Sequence, residues 1–360
     1  MKAAVISGSI EPYQLSTVSE IPRPSIAPNQ LLIKSHSFAI NPTDWKHILA
    51  KSAKRGYIIG SDVSGIVEEV GDEVIGFKPG DHVSSVLHGN ISFTMGAFGE
   101  YAIVNPRGTI NYGVELNHSE DKQSRTVDSF EGAASVTLGL ATVALSFSYS
   151  LGISYDKTEN QDKFILIWGG ATATGLLAVQ IAKLVYGLQV ITTASAKNHQ
   201  FLKSLGADYT FDYKDSNVVD AIKQVGKNKI VYGLDTIAKP ETFQQLYDAT
   251  ESTSKVYLDS LLGMDGRNIV VNPERQVHYG YTIVYLVFDK EYTTNGIKIE
   301  SNKEMVEKYD EFWTKYLPKY IHEIKHSNLV ILKPGLESVN EGLELSKQGK
   351  VSAEKVVFNL

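Results

Sequence analysis

The stretch Phe164-Ile165-Leu166-Ile167-Trp168, followed by Gly169-Gly170-Ala171-Thr172-Ala173-Thr174-Gly175, decides how this chain is read. Five consecutive apolar residues bounded by glycine read as a buried strand. Beyond the small-residue turn, Leu177, Ala178, Ile181, Ala182 and Val185 recur at helical spacing and predict a helix over 176–186. Gln189-Val190-Ile191-Thr192-Thr193 then reads as a second strand. Strand, small-residue loop, helix and strand in this order form the arrangement that seats a dinucleotide pyrophosphate on a helix N-terminus.

The loop departs from G-x-G-x-x-G at one position. Gly170 and Gly175 stand first and third, and Thr172 takes the second place. A glycine there lets the backbone approach the pyrophosphate, whereas a threonine hydroxyl offers a side-chain hydrogen bond instead. Gly170, Thr172, Ala173, Thr174 and Gly175 are therefore the expected cofactor contacts. No Asp or Glu occurs between Lys163 and Ala207. An NAD site commonly places an acid about 20 residues past the first glycine, on the ribose 2′-hydroxyl. Here that region reads Ala194-Ser195-Ala196-Lys197-Asn198. Its hydroxyl, amide and ammonium groups favour a 2′-phosphate and hence NADPH, with Ser195, Lys197 and Asn198 as contacts. The bland alternative is a solvated loop with Ser195 or Asn198 capping a helix.

Strand and helix patterns alternate from Lys163 to about Ser260, which indicates a parallel sheet in an α/β fold. Its later strands are expected at 209–211, 230–234 and 255–258. Residues 1–130 are β-rich, with short runs at 31–33, 63–70 and 82–86 between Gly and Pro turns. Residues 117–128 read as a polar surface loop. Phe130–Tyr149 reads as a tightly packed helix, and 276–288 as an aromatic, β-branched strand. A charged helix is expected over 302–324, and a closing strand at 356–358.

The 360 residues allow two domains. A net charge of −6 without a basic run gives no support to nucleic-acid binding. No apolar run in the sequence approaches the roughly 20 residues that cross a bilayer, and the start reads as a strand, so a cytoplasmic protein without membrane partners is expected. The absence of cysteine excludes disulfides, thiolate catalysis and Cys-ligated zinc. The nine histidines are scattered, and His322 with His326 reads as part of an exposed helix. No metal site is expected.

Six further stretches carry a resemblance. They are Asn41-Pro42-Thr43-Asp44-Trp45-Lys46, Gly60-Ser61-Asp62 with Val63 to Gly71, Phe77-Lys78-Pro79-Gly80-Asp81-His82-Val83, Gly96-Ala97-Phe98-Gly99-Glu100-Tyr101, Leu205-Gly206-Ala207-Asp208, and Gln348-Gly349-Lys350-Val351-Ser352. In this order, around a nucleotide motif, the chain resembles the medium-chain dehydrogenase/reductase superfamily over almost its whole length. That resemblance implies a Rossmann doubly wound parallel sheet inserted into a GroES-like β-rich domain. The GroES-like part would span 1–130 and return at 287–360, with the Rossmann part at 131–286 and the site in a cleft between them.

Zinc alcohol dehydrogenases of that superfamily carry Gly-His-Glu where this chain has Gly60-Ser61-Asp62, and Cys where it has Asn41. The resemblance thus implies a zinc-independent branch, similar to quinone reductases, fungal trans-acting enoyl reductases and their yeast relatives. It implies an oxidoreductase moving hydride from NADPH to α,β-unsaturated carbonyls, quinones or aldehydes. The alternatives are a trans-acting enoyl reductase of a polyketide pathway and a non-catalytic NADPH-binding protein. By the same resemblance, Lys46 lies near the nicotinamide ribose and Thr43 is a positioning or proton-relaying hydroxyl. Thr137 or Thr142 touches the carboxamide, Tyr213 lies near the 2′-phosphate, and His278, Tyr279 and Tyr281 line the substrate pocket. Asp62 reads as a structural acid in need of a partner. A monomer or a homodimer is implied.

Overall fold

The computed structural model describes every residue except 51–52, 120–124 and 295–296. Two compact units result, Met1–Leu138 with Ile321–Leu360, and Gly139–Tyr320. In the first, β1 (Lys2–Ile6) and β2 (Ser16–Glu20) pair antiparallel. The strands β3 (Leu31–Ala39), β4 (Asp62–Val70), β5 (His82–Val86), β6 (Tyr101–Val104) and β7 (Thr109–Asn111) belong to a larger sheet. There β3, β4, β5 and β7 are successive antiparallel neighbours, and β6 pairs with Leu31–Lys34 of β3. The helix α1 (Pro42–Leu49) connects β3 to β4. Phe38, Phe98 and Phe358 form a ring trio in the core, with centroids 4.9 to 5.6 Å apart. Pairs of this geometry add about 0.5–1.5 kcal/mol each beyond their buried area.

The helix α2 (Phe130–Leu145) continues into a π turn at Ser146–Ser150, and the unit boundary falls inside it. Together these 21 residues are long and apolar enough to cross a membrane, contrary to the expectation from the sequence. Their most apolar window is 89% buried within the protein, as in a core helix.

The second unit runs through α3 (Lys157–Asn160), β8 (Phe164–Trp168), α4 (Ala173–Leu184), β9 (Gln189–Thr193), α5 (His199–Ser204) and β10 (Tyr209–Phe211). It continues through α6 (Val218–Gly226), β11 (Ile230–Asp235), α7 (Pro240–Ala249), β12 (Lys255–Ser260) and β13 (Gln276–Tyr279). Six strands form one parallel sheet in the order β10-β9-β8-β11-β12-β13. This is the doubly wound order, with its reversal between β8 and β11, where such sheets bind ligands. All five residues of β8 are buried, as a strand covered on both faces requires. Phe164, Leu166 and Trp168 pack with Val218 and Ile222 of α6 and Phe243 and Leu246 of α7.

Two elements differ from the sequence reading. The strand expected over 276–288 ends at Tyr279, and the next residue, Gly280, lies so close to Ser150 and Asp259 that a Cβ would sit 2.8 Å from the Ser150 side chain. A 3₁₀ turn, Val284–Val287, follows. The charged helix is α8 (Lys303–Glu311), a π turn at Phe312–Tyr316, and α9 (Leu317–Tyr320), preceded by a hairpin of β14 (Glu291–Thr294) and β15 (Ile297–Glu300). Pro318 has no N–H to give its i−4 carbonyl, and Leu317 N–H bonds Phe312 O instead, one residue further back. Of the expected surface loop 117–128, residues 120–124 lie outside the described residues.

The chain returns to the first unit at Ile321, not at 287, because the hairpin and α8 pack with the second unit. There β16 (Asn328–Ile331), α10 (Val339–Lys347) and β17 (Glu354–Asn359) complete the seven-stranded sheet. The strand β17 pairs antiparallel with Ser37–Ala39, the half of β3 that β6 leaves open. His326 is buried, not on an exposed helix, and its Nδ1 lies 2.6 Å from the Ser327 carbonyl.

Candidate functional site

The glycine loop lies between the carboxyl end of β8 and the start of α4, beside the end of β11. Gly170 N–H donates to the Thr193 carbonyl (2.9 Å), and Gly169 N–H to Thr193 Oγ1 (3.0 Å). A Cβ on Gly170 would lie 2.0 Å from Thr192 Oγ1, and one on Gly175 would lie 2.3 Å from the Gly169 carbonyl oxygen. The loop is thus seated against β9 and the helix start, as a glycine cradle requires.

Thr172 does something other than the sequence reading assigned to it. Its Oγ1 accepts Gly175 N–H (2.9 Å), capping α4, and donates to Thr236 Oγ1 (3.0 Å). Thr236 Oγ1 lies 2.9 Å from each of the Trp168 and Gly169 carbonyls, which share its one proton. The hydroxyl expected on a phosphate is therefore spent on fixing the loop to β11, and the helix starts three residues earlier than its apolar periodicity indicated. Ala173 and Thr174 are half-buried in the first turn of α4, where N–H groups have no intrahelical acceptor. Amides in that position, with a helix dipole behind them, favour an anion.

Past β9, Ser195 and Asn198 are half-buried and Lys197 is exposed. Ser195 and Asn198 stand at the N-cap positions of the helix turns that follow them, but neither makes a side-chain cap bond. Ser195 Oγ lies 3.4 Å from the Tyr213 hydroxyl, bringing together two residues that are 18 apart in sequence. The acid-free run does not make an acid-free surface, however. Asp212 reaches over from the end of β10, and its carboxylate accepts the Ala196 N–H (3.1 Å) and the Lys214 N–H (3.0 Å). These backbone donors hold its pKa below the usual carboxylate range.

In the other unit, α1 begins with Pro42 at its first position and carries Thr43, Lys46 and His47. Thr43 Oγ1 lies 3.2 Å from His47 Nε2, one turn on. Burial first, then the His88 imidazole (ring centroids 6.0 Å apart), lower the pKa of His47 to about 4. Lys46 stands exposed with its Nζ 5.6 Å from the Trp45 ring centroid, and protein crowding its ammonium lowers its pKa.

Beneath α1 lies a buried polar network. Asn41 Nδ2 donates to Asp62 Oδ2 (2.8 Å), and Asn41 Oδ1 accepts from Lys355 Nζ of β17. Lys355 Nζ stands 3.6 Å from Asp62 Oδ2, and Leu138 N–H donates to Asp62 Oδ1 (2.7 Å). Asp62 thus has the partners that its burial demands. Asp44, also fully buried, accepts Asn41 N–H (2.7 Å) and Ser61 Oγ–H (3.0 Å). Among the described residues no group of three or more His, Cys, Asp or Glu is arranged to hold a metal ion.

Burial raises the pKa of Asp44 from 3.8 to about 7. The native state therefore keeps a proton that the unfolded chain has released, and the stability from this group is full below about pH 4 and lost as pH rises through 7. Between pH 5 and 8 wild type should lose about 2 kcal/mol relative to Asp44→Asn, measured by urea unfolding. Parallel pH slopes for the two proteins would refute a raised Asp44 pKa.

The remaining expected residues are dispersed. Thr142 is half-buried on α2, and Thr137 is buried with its hydroxyl 2.6 Å from Ser84 Oγ. On β13 His278 is exposed and Tyr279 half-buried against the Phe243 ring, because successive strand residues face opposite ways. Tyr281 lies against Gly263, and the three residues do not share one face. Sequence reasoning missed His47, Lys355 and Thr236. It also missed Asp259, which is buried, accepts from Ser146 and Thr282 (2.6 Å each), and has a pKa raised by burial to about 6.

Comparison with known proteins follows the same two-part division. The family described as alcohol dehydrogenase GroES-like domain matches residues 27–113, and that described as zinc-binding dehydrogenase matches 173–295. An uncharacterised protein of Saccharomyces cerevisiae is 32% identical over 99% of this chain and 97% of its own length. A trans-enoyl reductase of Alternaria alternata is 31% identical over 95% of each chain. The solved quinone oxidoreductase of Coxiella burnetii shares the fold, with a TM-score of 0.66 and 24% identity over 100% of this chain and 99% of its own. With a GroES-like unit, a doubly wound unit and full-length relatives at this identity, the chain belongs to the medium-chain dehydrogenase/reductase superfamily of nicotinamide-dependent oxidoreductases.

Proposed function

We propose that this protein is a zinc-independent, NADPH-dependent reductase of small α,β-unsaturated carbonyls, quinones or aldehydes. The observation that carries the cofactor choice is the pairing of Ser195, two residues before the exposed Lys197 in the same loop, with Tyr213. Two hydroxyls and a cation suit a 2′-phosphate, and Asp212 is already occupied by two backbone donors. The amides of Ala173 and Thr174 hold the pyrophosphate, and Gly170 leaves room for it. Zinc independence rests on Asn41, Ser61 and Lys355. Asn41 and Ser61 are spent on Asp62 and Asp44, and the Lys355 ammonium beside Asp62 repels a second cation.

Bound NADPH supplies the hydride, and the protein's task is to orient it, exclude water and place a proton. At neutral pH a His47 of pKa about 4 is an uncharged imidazole, so it fixes the Thr43 hydroxyl and is not itself the acid. The Thr43 hydroxyl donates a hydrogen bond to the product oxygen, and solvent water supplies the proton that completes the reduction. The likeness to a trans-enoyl reductase favours alkene reduction, including reduction of a polyketide-bound enoyl group, over aldehyde reduction.

NADPH oxidation over a panel of enones, quinones and aldehydes tests this reading. Faster turnover with NADH, or activity lost to EDTA and restored by zinc, would overturn it. NADPH binding without oxidation of any of them would leave a non-catalytic binder. Lys197→Ala with Tyr213→Phe should lower kcat/KM for NADPH about 10- to 100-fold, one or two charge-assisted bonds' worth, and leave the value for NADH unchanged. Equal losses with both cofactors would remove these residues from the 2′-phosphate.

A further inference from the structure

Three histidines gather around Phe130 in the first unit. The rings of His36, His82 and His118 lie 4.2, 5.4 and 5.3 Å from the Phe130 ring. His36 Nδ1 and His118 Nε2 stand 3.4 Å apart. Behind them Glu131 is buried at 1% exposure. Its Oε1 lies 2.9 Å from His118 Nδ1 and accepts Asn359 Nδ2–H (2.8 Å), while Oε2 accepts Ser119 N–H (2.9 Å).

These distances fix the tautomers. A carboxylate carries no proton, so His118 Nδ1 donates to Glu131, and the lone pair of its Nε2 faces His36. A separation of 3.4 Å is long for an N–H···N bond, whose usual range centres near 3.0 Å. It does match two imidazole nitrogens on one tetrahedral ion, since metal–nitrogen bonds of about 2.05 Å at a tetrahedral angle place the nitrogens about 3.4 Å apart. Glu131 is the carboxylate that commonly stands behind a ligating imidazole, fixing its tautomer and raising its basicity. His82 is not a third ligand, because its Nδ1 accepts the Leu116 N–H (2.8 Å) and its Nε2 then carries the proton.

We infer that His36 Nδ1 and His118 Nε2 form a two-nitrogen chelate for one divalent transition-metal ion of the zinc or copper class, oriented by Glu131. Imidazole donors select this class over magnesium and calcium. Two waters complete the coordination, because the pair is exposed and no third protein ligand stands beside it among the described residues. The ion ties the residue 117–119 loop to β3 and to the start of α2. The inference is independent of the proposed reductase activity, and its readouts are binding and spectroscopy.

The experiment titrates the full chain with Cu²⁺, followed by calorimetry and electron paramagnetic resonance. One tight copper per chain with hyperfine structure from two nitrogens is expected. His36→Gln and His118→Asn should each weaken it more than tenfold, and Glu131→Gln should weaken it 10- to 100-fold. His322→Ala, an exposed histidine elsewhere, should leave it unchanged. His118 is itself about half exposed, so its substitution tests the ligand without emptying the core. Zinc should raise the Tm of wild type and not that of His118→Asn. No saturable site, or equal affinity in the His36 and His118 variants, would mean an adventitious ion only and would overturn the inference.

Discussion

Lys355→Met is expected to destabilise the protein by about 3–5 kcal/mol, the cost of leaving a buried carboxylate without its counter-ion. Asp62 is fully buried, and of its two oxygens one faces Lys355 and Asn41 while the other holds the Leu138 N–H. Burial pushes the Asp62 carboxyl up, and the Lys355 ammonium opposes it. Removing the ammonium deprives Asn41 Oδ1 of its donor as well. The double variant Lys355→Met with Asp62→Asn should recover much of the loss, because no net charge then remains unpaired. Urea unfolding of wild type, both single variants and the double variant gives the coupling directly. A loss below about 1 kcal/mol for Lys355→Met would mean that the pair behaves as a solvated surface bridge.

Gly170→Ala should reduce NADPH affinity at least 100-fold while leaving a folded protein. The new Cβ would sit 2.0 Å from Thr192 Oγ1 and 3.0 Å from Thr192 Cβ, so the loop must lift away from β9. Overpacking of this kind costs about 1–3 kcal/mol of stability. Its effect on binding is larger, because the Gly170–Thr193 and Gly169–Thr193 bonds that aim the loop lengthen together. Pairing Gly170→Ala with Thr192→Gly removes the opposing side chain and should restore a measurable part of the affinity. Fluorescence titration with NADPH distinguishes the cases. Unchanged affinity in Gly170→Ala would detach this loop from the cofactor.

The strands of the parallel sheet were legible because each is a short run rich in apolar, β-branched or aromatic residues with no competing period. The runs at 164–168, 189–193 and 209–211 match the observed strands residue for residue. The start of α4 was not legible from apolar spacing, since Ala173, Thr174 and Gly175 carry no periodic signal and the capping Thr172 hydroxyl is held in place by Thr236, 64 positions away. Asp212 escaped notice for a related reason. A gap in the sequence describes one segment, whereas the surface near Ala196 is shared with the neighbouring strand. Lys355, read alone, is an ordinary lysine in a terminal strand. Its role depends on pairing β17 with β3, a relation that no local pattern encodes. The resemblance located Asn41 and Ser61 as departures from a zinc site, but only the packed structure reveals that an ammonium stands beside Asp62 there.

The sheet that β17 completes has a consequence for synthesis on the ribosome. Asn41 and Ser37 wait for partners 314 and 322 residues later in the chain. At roughly 5–20 residues per second, the first strands emerge tens of seconds before the segment that finishes their sheet. During that interval the free half of β3 and the unpaired acid Asp62 belong to a nascent, incomplete fold, while the inserted α/β unit has all its own strands in hand. The inserted unit is therefore expected to fold first, and the outer unit to mature only once β17 has emerged. Nascent chains halted before Glu354 should show the α/β unit protease-resistant and residues 1–138 still susceptible.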